Sequence, residues 1–417
     1  MKRFVLILLL LVATLPSMAQ QGITLEECYR LVAQNYPLAQ QVQLFEAQHQ
    51  LDSEVVSNEK RPQFNLNAQA TYQSDVIEIP IPNSTIEGLN KDQYRATLSV
   101  NQLIYNGGAT DAHLNLKTVQ TKAKQKQVEV QLYQLKQQIN QLYFSILLSQ
   151  ESHVLLEAKR SLLQSKLSEV QSGIKYGVIL PSSDKVLEAE LLKLKQQFQE
   201  LNRNKEVLIE TLSSLINQPI DTTTLFQHPL VETQSDNSLH RPELELFQLK
   251  QEEIEHSETL LLKQNSPKLL GFATGGYGNP GLNMLDNSFQ PFYTVGVALH
   301  WKVFDWNSNK KQRESLLINK DLIETETTTF MLHTNIELMQ QQQEMGIIEG
   351  FIVSDLEIIN LRKEVLKSAD SQLKNGVITA SAYITELTNL YEDENTLVKH
   401  KIQLQLAKAN YNVIKGH

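Results

Sequence analysis

Two kinds of hydrophobic pattern divide this chain, one with period seven and one with period two. The apolar residues Val128, Leu132, Leu135, Ile139, Leu142 and Ile146 step by four and three, the seam of a coiled coil. Leu187, Leu191, Leu194, Phe198 and Leu201 repeat that beat, followed by Leu208, Leu212 and Leu215, and Leu390, Leu397 and Leu404 keep it near the end. Between Gly108 and Gly173 there is neither glycine nor proline, which predicts one uninterrupted helix. At 1.5 Å per residue such a helix approaches ~100 Å, longer than a globular domain needs.

The period-two segments follow prolines. Pro62 and Pro267 cannot continue a helix and each opens an extended stretch. Phe64, Leu66, Ala68, Ala70 and Tyr72 alternate with Asn65, Asn67, Gln69 and Thr71. Ala96, Leu98, Val100 and Ile104 alternate with Thr97, Ser99 and Asn101. Tyr293, Val295, Val297, Leu299, Trp301 and Val303 share one face, and Thr294, Gly296, Ala298, His300 and Lys302 the other. Strands near ten residues with one apolar face fit a membrane barrel. A soluble hairpin packed on a helix also fits any one of them, but a lone two-stranded hairpin is barely stable in water.

The two patterns occur twice in the same order. Pro37 and Pro62 lie 25 residues apart, as do Pro242 and Pro267. Tyr105-Asn106 precedes Gly177-Val178-Ile179 by 72 residues, and Phe304-Asp305 precedes Gly376-Val377-Ile378 by the same 72. Each copy reads as helix, strand, strand, long helix, helix. The helix after Pro37 and the one from Ser182 to Asn217 together match the long helix of their copy, and Pro242 to Asn265 with Ile378 to Val413 do the same. The expected fold is mainly α with a small β part: antiparallel coiled-coil helices forming an α-barrel, with four strands per chain contributing to a shared β-barrel. The expected divisions are a leader over 1–19, a first repeat over 20–218, a linker over 219–238 rich in Thr, Pro and Asn, and a second repeat over 239–417. Gln73 to Gln93 and Gly278 to Pro291 are the expected external loops. Four strands cannot close a barrel, since the smallest use about eight, and lipid does not tolerate an open edge. Several copies must share one.

Composition sharpens the class. Lys2 and Arg3, the apolar run Phe4 to Leu15 and the small residues of Ser17-Met18-Ala19 form a secretory leader with cleavage expected before Gln20. Without Lys2 and Arg3 the chain has 36 basic against 47 acidic residues, which argues against nucleic acid as partner. The single Cys28 excludes an intrachain disulfide, and Leu25-Glu26-Glu27 before it does not fit a lipidation site, so a buried helical role is expected.

With these residues in hand, the whole mature chain resembles the outer-membrane efflux protein family, of which TolC is the type. Thr24-Leu25-Glu26-Glu27 resembles the lead of an early family helix, Arg61-Pro62 the entry to the first strand, and Leu103-Ile104-Tyr105-Asn106-Gly107-Gly108 the strand-to-helix turn. Tyr176-Gly177-Val178-Ile179 followed by Leu187-Glu188-Ala189 resembles its helical-hairpin tip. The resemblance implies a homotrimer with a twelve-stranded barrel in outer-membrane lipid and a twelve-helix tunnel. It also implies a periplasmic adaptor, coupled to an inner-membrane pump, docking on tips that here are Gly177, Val178, Ile179, Gly376, Val377 and Ile378. An exposed apolar pair after each tip glycine would serve such docking, and a plain helix cap would have its apolar residues pack locally. Two departures stand out. The second turn, Phe304-Asp305-Trp306-Asn307, lacks the paired glycines, and Ala382 and Thr385 stand where the type member carries gate aspartates, so no gating residue transfers.

No catalytic, metal or cofactor motif survives. Gly275-Gly276-Tyr277-Gly278 leads into Asn279-Pro280-Gly281, a turn rather than the helix a phosphate loop needs. His300 faces the expected lumen, and Tyr72, Tyr293 and Trp301 fit either an interfacial aromatic girdle or ordinary strand packing. The reading is a non-enzymatic, passive export conduit of a tripartite efflux or type I secretion system. A periplasmic coiled-coil adaptor is the first rival, but it would need a compact β-rich domain. A secreted structural rod is the second, and fractionation separates all three.

Overall fold

The structure, a computed structural model, describes residues 22–77, 88–234 and 238–417. The leader expected at 1–19 lies outside the described residues, as do 78–87 of the first external loop and 235–237 of the linker. The helices and strands run α1 (Leu25–Asn35), α2 (Gln40–Asn58), β1 (Gln63–Tyr72), β2 (Asp92–Tyr105), α3 (Ala109–Lys175) and α4 (Ser183–Ile216). They continue as α5 (Pro242–Gln264), β3 (Lys268–Asn279), β4 (Gln290–His300), α6 (Ser308–Lys374) and α7 (Ala380–Lys415). The order of the first six recurs in the second half without a counterpart of α1. The long helices α3 and α6 have 67 residues each, and both ends of α6 lie 199 residues after those of α3.

Local chemistry explains most boundaries. Thr24 caps α1 and accepts from the Glu27 amide at 3.1 Å, half of a capping box. Pro37 breaks the chain between α1 and α2 into a single 3-10 turn over Pro37–Ala39, and Pro242 occupies the first turn of α5, where a missing N–H costs nothing. Helix α4 ends at Ile216, and Asn217, in the left-handed region, caps it. The expectation that Pro62 itself ends a helix needs correction. Helix α2 stops at Asn58, and a turn of i→i+3 bonds through Glu59, Lys60 and Arg61 carries the chain to Pro62.

The chain forms two compact units. Among the described residues, one lies within 22–40, 128–242 and 330–417, and the other within 41–127 and 243–329. In the first unit, α1 lays Leu25, Cys28, Leu31 and Val32 against Ile139, Tyr143, Ile146 and Leu147 of α3, with Ile209, Leu212 and Ile216 of α4 and Ile402 and Ala409 of α7. The linker is part of this core: Phe226 is buried there, and Ile23 pairs with it as a β-bridge. Tyr143 donates to the carbonyls of both Ile23 and Gln227, at 2.8 and 2.7 Å by its hydroxyl oxygen. A second core fills the ends of the helical hairpins, with Leu156, Leu163, Val170, Leu187 and Leu194 against Leu373, Ala380, Tyr383 and Leu387.

In the second unit the strands form one antiparallel sheet in the order β1-β2-β3-β4. Ion pairs tie its helices: Lys117 to Asp52 at 3.2 Å, Arg313 to Glu258 at 2.7 Å and Lys320 to Glu255 at 2.6 Å. The second external loop is shorter than the sequence reading had it. Gly278 pairs with Gln290 and Tyr277 with Pro291, so the loop spans 280–289. Strand β4 ends at His300, so Trp301 and Val303 stand beyond the paired region.

Candidate membrane surface and hairpin tips

The sheet is inside out for a protein in water. Its apolar side chains are the exposed ones: Leu66 is 76% exposed, Val295 72% and Tyr293 80%, with Phe64, Leu98, Val297 and Leu299 similar. The polar Arg95, Thr97 and Ser99 of β2 are half-buried instead. A half-buried soluble sheet has the reverse arrangement. No other element covers the apolar face among the described residues, and both edges, β1 and β4, present unpaired backbone.

Aromatic residues border this face. Tyr72 stands opposite Asp92, Tyr94 opposite Ala70 and Asn279, Tyr277 opposite Ala96 and Pro291, and Tyr293 opposite Gly275. Each strand places its tyrosine two residues further from the loops than the strand before it. That is about 6.6 Å along a strand for every ~4.8 Å across, an incline of roughly 54°, of the same sense as the 35–45° lean of barrel strands and somewhat steeper. A straight belt around a tilted barrel requires such a diagonal. Phe289 from the β3–β4 loop stacks on both Tyr94 and Tyr277, at 6.1 and 5.6 Å between centroids. Eight residues from Tyr72 is Phe64, and eight from Tyr293 is Trp301, in phase with β4 although past its end. Eight residues span about 26 Å along a strand. At the 35–45° lean of barrel strands that gives roughly 20 Å of height, close to the ~25 Å apolar band of outer-membrane barrels once ring length is added.

The strand-to-helix turns match in geometry although they differ in sequence. Gly107 and Gly108 have φ of +67° and +82°; Trp306 and Asn307, their counterparts, have +56° and +60°. Around Asn106 and Asp305 the same hydrogen bonds form: the Ala109 amide to the Asn106 carbonyl, and Ser308 to Asp305. The Asp305 carboxylate accepts from the Asn309 amide at 2.8 Å, which fixes the turn without glycine. Ring contact between Phe304 and Trp306, 4.9 Å between centroids, adds to it. Tyr105 and Phe304 are exposed at this end of the sheet. Pro62 and Pro267 directly precede β1 and β3. Gly275 and Gly276 sit within β3, so the glycine run is strand.

At the hairpin tips Gly177 and Gly376 take φ of +72° and +68° and close the helix ends. Their amides donate to the carbonyls of Ile174 and Leu373. The expectation of an exposed apolar pair is half right. Val178 and Val377 are exposed, Val377 by 71%, but Ile179 is only 9% exposed and Ile378 packs against the same core. The reason is Gly173, which lies within the last turns of the helix. Helix α3 runs through it to Lys175, and its missing side chain leaves room for Ile179: a Cβ there would lie 2.6 Å from the Ile179 Cδ1. The exposed apolar set at the tips is therefore Tyr176, Val178, Leu180 and Val377. Ala382 and Thr385 lie in the first two turns of α7, where Thr379 caps the Ala382 amide at 3.2 Å.

Lysines link the two hairpins. The buried Lys159 reaches Glu190 at 3.1 Å and Thr388 at 3.3 Å, and lies over the Tyr391 ring. One heptad on, Lys166 pairs with Asp370 and Glu169 and lies over Tyr383.

No family model and no curated protein sequence matches the chain. Solved structures do match, over nearly its whole length. The outer membrane protein VceC of Vibrio cholerae shares 14% identity at a TM-score of 0.67, covering 94% of this chain and 96% of that one. CusC, solved in work on transmembrane channel formation, shares 11% at 0.71 over 94% and 92%. The chain has the outer-membrane channel fold. The open state of the MtrE outer membrane channel of Neisseria gonorrhoeae agrees, at 14% identity and a TM-score of 0.68 over 94% and 89%. Within this channel fold, the four-stranded sheet with its exposed apolar face and the long helical hairpins are the parts that this chain's own residues build most plainly.

Proposed function

We propose that this chain is one subunit of a passive outer-membrane export conduit, with three copies completing a twelve-stranded barrel in lipid. The observation that carries the reading is the inside-out sheet: an apolar face bounded by a slanted tyrosine row, on four strands with two open edges. Water cannot accommodate that face, and lipid cannot accommodate those edges, so other copies must supply the missing strands. Helix α6 supports the same conclusion, because Leu332, Met339, Ile347, Phe351 and Leu361 lie exposed along it while α3 buries most of its apolar residues.

The hairpin tips are the docking surface for a periplasmic adaptor that couples the conduit to an inner-membrane pump, in a tripartite efflux or type I secretion system. Tyr176, Val178, Leu180 and Val377 form its apolar part, and Gly177 and Gly376 set its shape; Ile179 and Ile378 hold it from within. The chain carries no chemistry of its own in this reading; energy and choice of cargo belong largely to the partners. Separating inner and outer membranes by density tests it. The protein belongs in the outer-membrane fraction and requires detergent for extraction. Recovery as a water-soluble single chain would overturn the reading.

A further inference from the structure

The polar face of the sheet has an unexpected charge. The chain as a whole carries −9. The side chains that share the polar face with Thr97 and Ser99 nevertheless include Arg95, Lys268 and His300 and no carboxylate. The one acidic residue in the four strands, Asp92, is at the loop end of β2, in phase with the apolar face. None of the three basic residues makes an ion pair among the described residues. Arg95 lies instead with its guanidinium 5.6 Å over the Phe292 ring. That ring is itself seated on Gly276, where a Cβ would come within 2.4 Å of the ring's Cζ. Phe272 sits on Gly296 in the same way. The rings thus lie along the sheet and hold Arg95 near the loop end. At the helix end Lys268 is directly opposite His300, a pairing of basic residues where an acid would be the stabilising neighbour, and Lys302 follows two residues on.

We infer that the polar face lines the pore as rings of uncompensated cations and makes the barrel section favour anionic solutes. This rests on the shared-barrel reading. Each added copy repeats Arg95 and Lys268 around the wall, and a narrow passage lined by one sign of charge concentrates the opposite ion. The substrate class this section passes most readily is anions, inorganic or organic.

The test is the reversal potential of the full-length protein in planar bilayers under a potassium chloride gradient. It is best run near 0.1 M salt, where screening extends only about 10 Å. Arg95→Gln and Lys268→Gln are each expected to lower the chloride-to-potassium permeability ratio by roughly two-fold or more, as fixed charge is lost from the wall. Arg95→Lys keeps the charge and is expected to keep the ratio. Lys268→Gln, at the other end of the sheet, carries the test alone if Arg95→Gln does not assemble. Conducting variants with an unchanged ratio would overturn the inference while leaving the channel reading intact. A wild-type protein that forms no conductance at all would remove the shared barrel, and the inference with it.

Discussion

Gly376 turns directly beside the carbonyl of Val178, so that the tip of one helical hairpin is fitted against the tip of the other. A Cβ at Gly376 would lie 2.7 Å from that oxygen, whereas Gly177 has nothing within 4 Å. Both residues have positive φ, so alanine at either costs about 1–2 kcal/mol of backbone strain. Only at Gly376 must a neighbouring backbone also move. Gly376→Ala is therefore expected to lower the thermal midpoint of the detergent-solubilised protein clearly more than Gly177→Ala, and equal shifts would contradict the tip packing.

The docking surface calls for different variants. Val178 and Val377 are exposed and strain-free substitution sites, unlike the glycine that precedes each of them. Val178→Asp and Val377→Asp are expected to leave the folding stability within about 0.5 kcal/mol of wild type, as surface changes do. They should also reduce co-purification of the adaptor at least several-fold. Ile179→Asp is expected instead to destabilise the hairpin, because that side chain is packed against Gly173.

Cys28 is fully buried between α1 and the long helices, and burial followed by the charges of Glu27 and Glu26 pushes its thiol up to about 12. Little thiolate exists there at neutral pH. A maleimide is expected to label the folded protein at a small fraction of the rate seen in denaturant, and comparable rates would place α1 elsewhere.

Acid should loosen the hairpins before it unfolds the rest. At Asp370 burial disfavours the charge, but hydrogen bonds from Lys166 and Lys374 outweigh it and hold the carboxyl below its ordinary 3.8. Its folded value lies below its unfolded one, so the contribution is complete above the unfolded value and disappears as pH falls through the folded one. Relative to the intrinsic rate at each pH, hydrogen exchange at the amides of Leu373 and Tyr383 is expected to accelerate as pH falls below the ordinary carboxyl value of 3.8. In Asp370→Asn the exchange should already be faster at neutral pH and lack that step. A pH dependence unchanged by the substitution would assign it to other groups.

How much of this was legible in the sequence follows from how local each feature is. Strand phase, proline breaks and glycine turns depend on neighbours in sequence, and Phe64 to Tyr72 or Gly177 could be placed from them alone. Trp306 and Asn307 could not, because nothing in their types announces a positive φ; the Asp305 cap and the Phe304 ring impose it. The role of Gly173 was hidden for a related reason. Its role is to receive Ile179, a contact between a helix and the loop after it, and glycine inside a helix otherwise reads as an end. The tyrosine diagonal was hidden for want of register. Tyr94 and Asn279 meet across β2 and β3, which are separated by two helical hairpin arms and α5, and no period in the chain encodes that pairing.

The claim on which the rest depends is that β1 of one copy pairs with β4 of the next. With Cys28 replaced by alanine, single cysteines placed along β1 at Asn65, Asn67 and Gln69 and along β4 at Thr294 and Ala298 can be oxidised in intact outer membranes. Cross-strand pairs at matched depth should link copies covalently into a ladder that stops at three, with no larger species. Absence of any β1–β4 link between copies, with the chains remaining single on a denaturing gel, would mean that the exposed edges close in some other way and that the shared barrel does not exist.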